Sequence, residues 1–348
     1  MRQGHDVTLF ASGDSVTLAR LVPCSKAALR LDPDVTDMTP YHVMLLDQLA
    51  RRLDEFDILH FHIDYLHYPM MRPYAERTLT TLHGRLDIPD LVPFYSAFSD
   101  FPLVSISQAQ RRPLPPVNWV GTVLHGLPQN LLPYRESTGD GYLAFLGRIS
   151  PEKGPNTAIE IAAKTGARLK IAAKVDSADR LYWDQVIGPM IARHANVEFI
   201  GEINESQKAG FLGNAKALLF PIRWPEPFGL VMIEAMSCGT PVIAFANGSV
   251  PEVIDDGMTG FVVSSVAQAV EAVGRVDRLN RRTIRDQFER RFTAERMAHD
   301  YVAVYRRLLA RRRIESGAER LAPSTDTFST GKNAVRTVLL RERTAFDP

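Results

Sequence analysis

The sequence predicts an α/β protein made of two doubly wound domains, and three observations predict it. Short apolar runs alternate with amphipathic stretches, the pattern of parallel strands joined by helices. The chain has 348 residues, enough for two domains of ordinary size. A segment at 128–140, with two prolines, polar residues and a Gly139-Asp140-Gly141 turn, separates two such sets and reads as a linker.

The first set places strands over 7–10, 58–61, 79–82, 103–106 and 119–124. Val43, Leu46, Leu49, Ala50 and Leu53 recur at helical spacing between the first two. A doubly wound domain ordinarily opens with a buried strand, a Gly-rich turn and a helix. This sequence opens on what reads as the end of that helix (Arg2, Gln3, Gly4) and the second strand. The first domain is therefore expected to lack its first strand, whose place is mid-sheet. The second set places strands over 142–146, 169–172, 197–200, 217–220 and 242–245. Its helices fall near 156–164, 178–193, 206–212 and 230–236.

Further on, Met297, Tyr301, Val304, Tyr305, Leu308 and Leu309 form one apolar stripe on a long helix. Arg306, Arg307, Arg311, Arg312 and Arg313 cover its other face, either solvated or set against anionic lipid. The resulting division is a first domain over 1–138, a second over 139–290, a terminal helix over 291–314 packing back on the first, and a loosely ordered tail over 315–348.

Composition narrows the function. Hydrophobic content of 45% and charged content of 23% are ordinary for a globular protein. A net charge of +1 offers no global attraction to nucleic acid or anionic lipid, so any phosphate site must be local. Cys24 and Cys238 form no CxxC, fall in different domains and suit a reducing compartment. No apolar run has the length of a membrane span, and the opening residues lack the apolar stretch of a signal peptide. The expected location is cytoplasmic.

The most informative segment is Pro225-Glu226-Pro227-Phe228-Gly229-Leu230-Val231-Met232-Ile233-Glu234-Ala235, which follows an apolar strand. Pro227 presets the backbone at the start of a helix, and Gly229 lets a ligand approach closely. The N–H groups of Phe228, Gly229 and Leu230 then face outward at the positive end of the helix dipole, an anion site. Glu226 and Glu234 flank it. A carboxylate only accepts hydrogen bonds, so it grips vicinal hydroxyls such as those of ribose or a hexose. The plainer alternative is a stabilised helix start with Glu234 solvated.

A second segment, Gly147-Arg148-Ile149-Ser150-Pro151-Glu152-Lys153-Gly154, leaves a strand at the end of a sheet where ligands bind. Arg148 supplies a planar fork and Lys153 a point charge, together able to neutralise a diphosphate; the alternative is two solvated loop cations. His83, in Thr81-Leu82-His83-Gly84, follows a strand and is either a ligand to a sugar hydroxyl or a satisfied structural residue. Glu202 and Ile203, after a strand, offer backbone groups to a base, and Ser249 reads as a helix N-cap. His60, His62 and Asp64 alternate along a strand end but are weak grounds for a metal site.

These motifs resemble a family. Gly147 to Gly154, then Glu226-Pro227-Phe228-Gly229-Leu230 with Glu234, then Gly239-Thr240-Pro241-Val242-Ile243-Ala244, look like the retaining glycosyltransferases of family 4. The resemblance runs from about Asp6 to Leu309. It implies the GT-B fold, two Rossmann-like domains facing across a cleft. It implies a nucleotide-sugar donor, an acceptor of unnamed class (glycan, lipid-linked or small molecule) and transfer with retention of anomeric configuration. It gives Arg148 and Lys153 the diphosphate and Glu234 the ribose. It gives Glu226 and the amides of Phe228 to Leu230 the transferred sugar, with Glu226 and His83 as the catalytic pair. No metal or other cofactor is expected, nor any nucleic acid partner, and membrane contact is at most peripheral. The alternatives are an inactive nucleotide- or sugar-binding remnant and another GT-B enzyme, such as a sugar-nucleotide epimerase or a phosphorylase.

Overall fold

The computed structural model describes residues 1–139, 141–315 and 335–340. In chain order the strands are β1 (Asp6–Ser12), β2 (Arg20–Ser25), β3 (Ile58–Phe61), β4 (Thr78–Thr81), β5 (Leu103–Ser105), β6 (Trp119–Thr122), β7 (Tyr142–Arg148), β8 (Leu169–Lys174), β9 (Val197–Gly201), β10 (Ala215–Phe220), β11 (Val242–Phe245), β12 (Gly260–Val263) and β13 (Arg336–Leu340). The chain divides into two compact units. The first takes 1–106, 113–123 and the described residues from His299 on; the second takes 107–112 and 124–298.

In the first unit seven parallel strands run in the order β2-β1-β13-β3-β4-β5-β6. The mid-sheet position that the sequence reading left without a strand is occupied, and its occupant comes from the other end of the chain. β13 pairs Val7 with Thr337 on one side and Leu59 with Val338 on the other. It enters between two fixed points. Val335 N–H donates to His5 Nδ1 at 3.0 Å, and the Arg336 backbone N–H donates to Asp57 Oδ2 at 2.9 Å. Val338 is fully buried against the cluster that holds Phe10, Leu59 and Phe61. Of the stretch read as a loose tail, 316–334 and 341–348 lie outside the described residues, and Arg336–Leu340 is this central strand.

β2 also escaped the sequence reading. It is an edge strand of half-exposed residues with Pro23 inside it, tolerated because an edge strand has a side whose N–H groups need no partner strand. The helix Thr39–Ala50 buries Leu45, Leu46 and Leu49, whereas Val43, placed on the apolar face by spacing, is 52% exposed. On the helix Ala294–Glu315, Tyr301, Val304, Tyr305 and Leu308 are buried and Met297 and Leu309 half-buried, so the apolar stripe faces protein.

The second unit has six parallel strands in the order β12-β11-β10-β7-β8-β9. Its core joins Leu143, Phe145, Ile159, Leu169, Ile171, Leu219 and Ile243. The helical stretch expected over 178–193 is interrupted by a π turn, Trp183–Ile187; Pro189, with no N–H, cannot continue an α ladder there. The chain leaves β7 toward β8 and β9, then returns to the other side of β7 with β10. Order reverses between β7 and β10, and the crevice at their carboxyl ends is where such sheets take ligands. The loops leaving these two strands carry Arg148 to Gly154 and Pro221 to Gly229.

Candidate functional site

The two loops are tied to each other. Arg223 N–H donates to the Glu152 carbonyl at 2.8 Å, and the Arg223 guanidinium donates to Thr157 Oγ1 at 2.6 Å. Gly154 sits at φ +71 against the Pro221 carbonyl, which a side chain there would strike. This docking brings Lys153 onto Glu226. Lys153 Nζ lies 2.7 Å from Glu226 Oε2, and Trp224 Nε1 donates to the same oxygen at 2.9 Å. Nζ also stands 5.0 Å from the centre of the Trp224 ring. Glu226 is 7% exposed, and both contacts fall on Oε2. Trp224 is thus a site residue that the sequence reading passed over. Its signal was available, since an aromatic N–H two residues from a buried carboxylate needs an acceptor.

The helix Leu230–Ser237 starts from Gly229, which holds φ +78 and ψ +69 with no side-chain cap. A Cβ on Gly229 would come within 2.9 Å of Phe220 and Met232, so glycine is required both by conformation and by space. The Phe228 ring is buried edge-on against His125 and Phe292, which leaves only its backbone for a ligand. Gly248 presses on the backbone of Glu226 from behind, and Ser249 N–H donates to the Glu226 carbonyl at 2.9 Å. Ser249, read as a helix cap, makes no such bond; its hydroxyl donates to the Phe228 carbonyl at 2.8 Å.

One turn inside that helix, Glu234 is 3% exposed. Lys208, from the helix Glu205–Gly213, lies 2.9 Å from its Oε1 and also pairs with Glu205. Burial raises the Glu234 pKa, and the Lys208 charge offsets only part of that. Burial likewise opposes the Lys208 charge, but Glu234 and Glu205 together outweigh it and hold the ammonium above its usual range. The second oxygen, Glu234 Oε2, is buried and has no hydrogen-bond partner among the described residues. An ionised carboxylate with one empty oxygen is costly unless something donates to it. Lys208, also unread in the sequence, favours the charged form of Glu234 against that burial.

Gly147 and Arg148 end β7. The Arg148 guanidinium lies 3.3 Å from Glu152 and 3.6 Å from Asp176, which also pairs with Lys174 at 2.8 Å. Glu202 and Ile203 lie between β9 and the helix Glu205–Gly213, past Gly201 at φ +79; Glu202 is exposed and Ile203 half-buried. His83 belongs to the first unit, two residues past β4. Among the described residues no three His, Cys, Asp or Glu side chains are grouped to hold a metal ion, His60, His62 and Asp64 included. Both thiols are free, and burial pushes each up to about 11. Among the described residues no helix is long and apolar enough to cross a membrane.

The fold defines the class: two parallel-sheet α/β units of the GT-B kind. Residues 133–291 match the family Glycosyl transferases group 1. A D-inositol 3-phosphate glycosyltransferase of Mycobacterium bovis is 34% identical over 142 residues, and one of Mycobacterium tuberculosis is the same. The match covers 39% of this chain and 29% of the relative, so the chain spans under a third of these curated relatives. Among solved structures, sucrose-phosphate synthase from Thermosynechococcus elongatus superposes with a TM-score of 0.70 at 18% identity, over 89% of this chain and 92% of that one. A glycosyltransferase involved in avilamycin A biosynthesis gives 0.64 at 21%, over 89% and 86%. Anabaena HepE, solved in complex with UDP, gives 0.64 at 15%, over 91% and 100%.

Proposed function

We propose that this chain is a glycosyltransferase that moves a sugar from a nucleoside diphosphate to an acceptor hydroxyl, with its donor site in the second unit. The observation that carries the reading is Glu234. A buried carboxylate with one oxygen on Lys208 and the other empty is built to accept from a ligand that enters the crevice. A ribose diol supplies such hydroxyl donors. The uncapped N-terminus of the same helix, with Lys153 and Arg148 on the facing loop, supplies positive potential for the two phosphates. An ammonium has three N–H donors, and the Glu226 bond occupies one. Glu226 Oε1 is the acceptor we assign to a hydroxyl of the transferred sugar. Relatives in fold that were solved with UDP support a nucleotide donor.

In the transfer, the bond from the anomeric carbon to the phosphate oxygen breaks. The acceptor oxygen bonds to that carbon on the same face, and the acceptor proton passes to a phosphate oxygen of the leaving diphosphate. Arg148, Lys153 and the helix N-terminus stabilise the charge that grows on that diphosphate. Retention and independence of metal are parts of this proposal. The reading of an inactive remnant rested on a vacant mid-sheet position; β13 stands there, which favours the active reading.

The test is thermal unfolding with UDP, GDP, ADP and TDP and their sugar conjugates, with and without EDTA. A ligand at about 100 times its Kd adds about 2.7 kcal/mol, a rise of roughly 2–4 °C in domains of this size. A rise with one base, followed by EDTA-resistant transfer to an acceptor panel with retained configuration, supports the reading. No rise with any nucleotide overturns it.

A further inference from the structure

The backbone of Glu226 is fixed on every side. Its N–H donates to the Trp224 carbonyl at 2.8 Å, closing a three-residue turn about Pro225, whose ring presets the turn's φ. Pro227 confines the residue before it to extended backbone. The Glu226 carbonyl accepts from Ser249 N–H at 2.9 Å, and a side chain at Gly248 would strike the Glu226 backbone. Ahead of the turn, Asn247 Nδ2 donates to the Ile222 carbonyl at 2.7 Å, and Arg223 is tied to Glu152 and Thr157. What remains to be set at Glu226 is its side-chain torsions, the last of which has a broad minimum.

Two donors set those torsions, and both land on Oε2. Lys153 Nζ is 2.7 Å from it and Trp224 Nε1 is 2.9 Å. Two hydrogen bonds occupy the lone pairs of that oxygen, so the place of Oε1 follows from them. The donors differ in kind. Lys153 carries its charge on a flexible four-carbon stem, and in the proposed reaction the diphosphate competes with Glu226 for it. Trp224 is neutral and carries a single side-chain N–H, which Glu226 takes. Phosphate has no charge on the indole to attract. The centre of the Trp224 ring lies 5.0 Å from Nζ, which keeps the two donors side by side.

We propose that Trp224 is a positioning residue for Glu226. Its indole N–H holds Oε2 while Lys153 answers to the phosphates, and so keeps Oε1 in one place as acceptor for a hydroxyl of the transferred sugar. Donor recognition is then divided between neighbours. Lys153 reads the diphosphate, and Trp224, acting through Glu226, reads whether a sugar is attached to it. The proposal rests on the reading that Glu226 Oε1 accepts from that sugar. All the residues involved belong to the second unit.

The experiment uses the full chain in three forms: wild type, Trp224→Phe, which keeps a ring beside Lys153 and loses the N–H, and Glu226→Gln. Isothermal titration compares UDP, GDP, ADP and TDP with their glucose and mannose conjugates. Trp224→Phe is expected to bind the diphosphate within about twofold of wild type and the conjugate about tenfold more weakly, the scale of one lost hydrogen bond. A residue that only propped the loop would weaken both alike. Separately, ¹⁵N NMR reads the indole N–H signals of the three tryptophans. The signal missing from Trp224→Phe belongs to Trp224. Glu226→Gln is expected to shift it, because an amide oxygen accepts more weakly than a carboxylate. Unchanged conjugate affinity in Trp224→Phe, an equal loss for diphosphate and conjugate, or an indole signal indifferent to Glu226→Gln overturns the proposal. A shifted indole signal in a chain that binds no nucleotide sugar supports the Trp224–Glu226 contact and sinks the functional reading instead.

Discussion

Lys208 Nζ lies 2.9 Å from Glu234 Oε1, with both side chains buried. The relationship is asymmetric. Lys208 has a second carboxylate, Glu205, while among the described residues Glu234 has one cation and one oxygen without a partner.

Removing the cation should therefore hurt the fold before it touches function. Lys208→Met leaves a carboxylate buried and unpaired, a loss of about 3–5 kcal/mol at neutral pH. Burial already raises the Glu234 pKa, and without Lys208 it rises further. The neutral acid avoids most of the desolvation cost. The deficit relative to wild type should then shrink as pH falls through the raised pKa and reach its full size above it. Urea unfolding of both proteins from pH 5 to 8 measures this; a deficit that grows on acidification contradicts the assigned geometry.

Glu234→Gln tests the ligand side of the same residue. The amide retains one acceptor oxygen but replaces the empty one with a donor, which faces ribose hydroxyls badly. We expect a loss of about 1.5–3 kcal/mol in nucleoside diphosphate affinity, the worth of a hydrogen bond to a charged group. Isothermal titration with the nucleotide that shifts the wild type gives the answer. Equal affinity would remove Glu234 from the ribose.

Lys153→Ala should discriminate by phosphate number. It deletes the charge that sits 2.7 Å from Glu226 and that we assign to the diphosphate. Affinity for the diphosphate should fall by about 1.5–3 kcal/mol, while that for the bare nucleoside stays the same. A parallel loss for the nucleoside would mean the loop had moved and Lys153 holds structure, not phosphate.

β13 should be indispensable to the first unit. Ending the chain at Glu315 removes the partner of both β1 and β3 and uncovers Phe10 and Leu59. Hydrogen exchange is expected to speed strongly in Asp6–Ser12 and Ile58–Phe61 and to change little in β7 to β12. Unaltered protection in β1 and β3 would show that the strand does not hold the sheet in solution.

Much of this protein was legible along the chain because its signals are local. Strands such as Ile58–Phe61 and Val242–Phe245 are short apolar runs bounded by polar residues, and their extents match the reading. Gly229 announces itself because only glycine readily takes φ +78 at the head of a helix. Glu226, Glu234 and Lys153 were picked out by residue type beside such turns. Which of them pair, and that Lys208 joins Glu234, was not. Lys208 is 26 residues from Glu234, and Glu226 is 73 from Lys153; which cation meets which carboxylate follows from how β7 and β10 lie side by side. The same holds for β13. The sequence reading placed Arg336–Leu340 in a polar, weakly patterned tail, and only the sheet shows it between β1 and β3. Local sequence determines backbone preference and which faces are apolar. The choice among distant partners depends on burial, where an unmatched charge or an unpaired strand edge is costly, and that is decided only when the whole sheet is assembled.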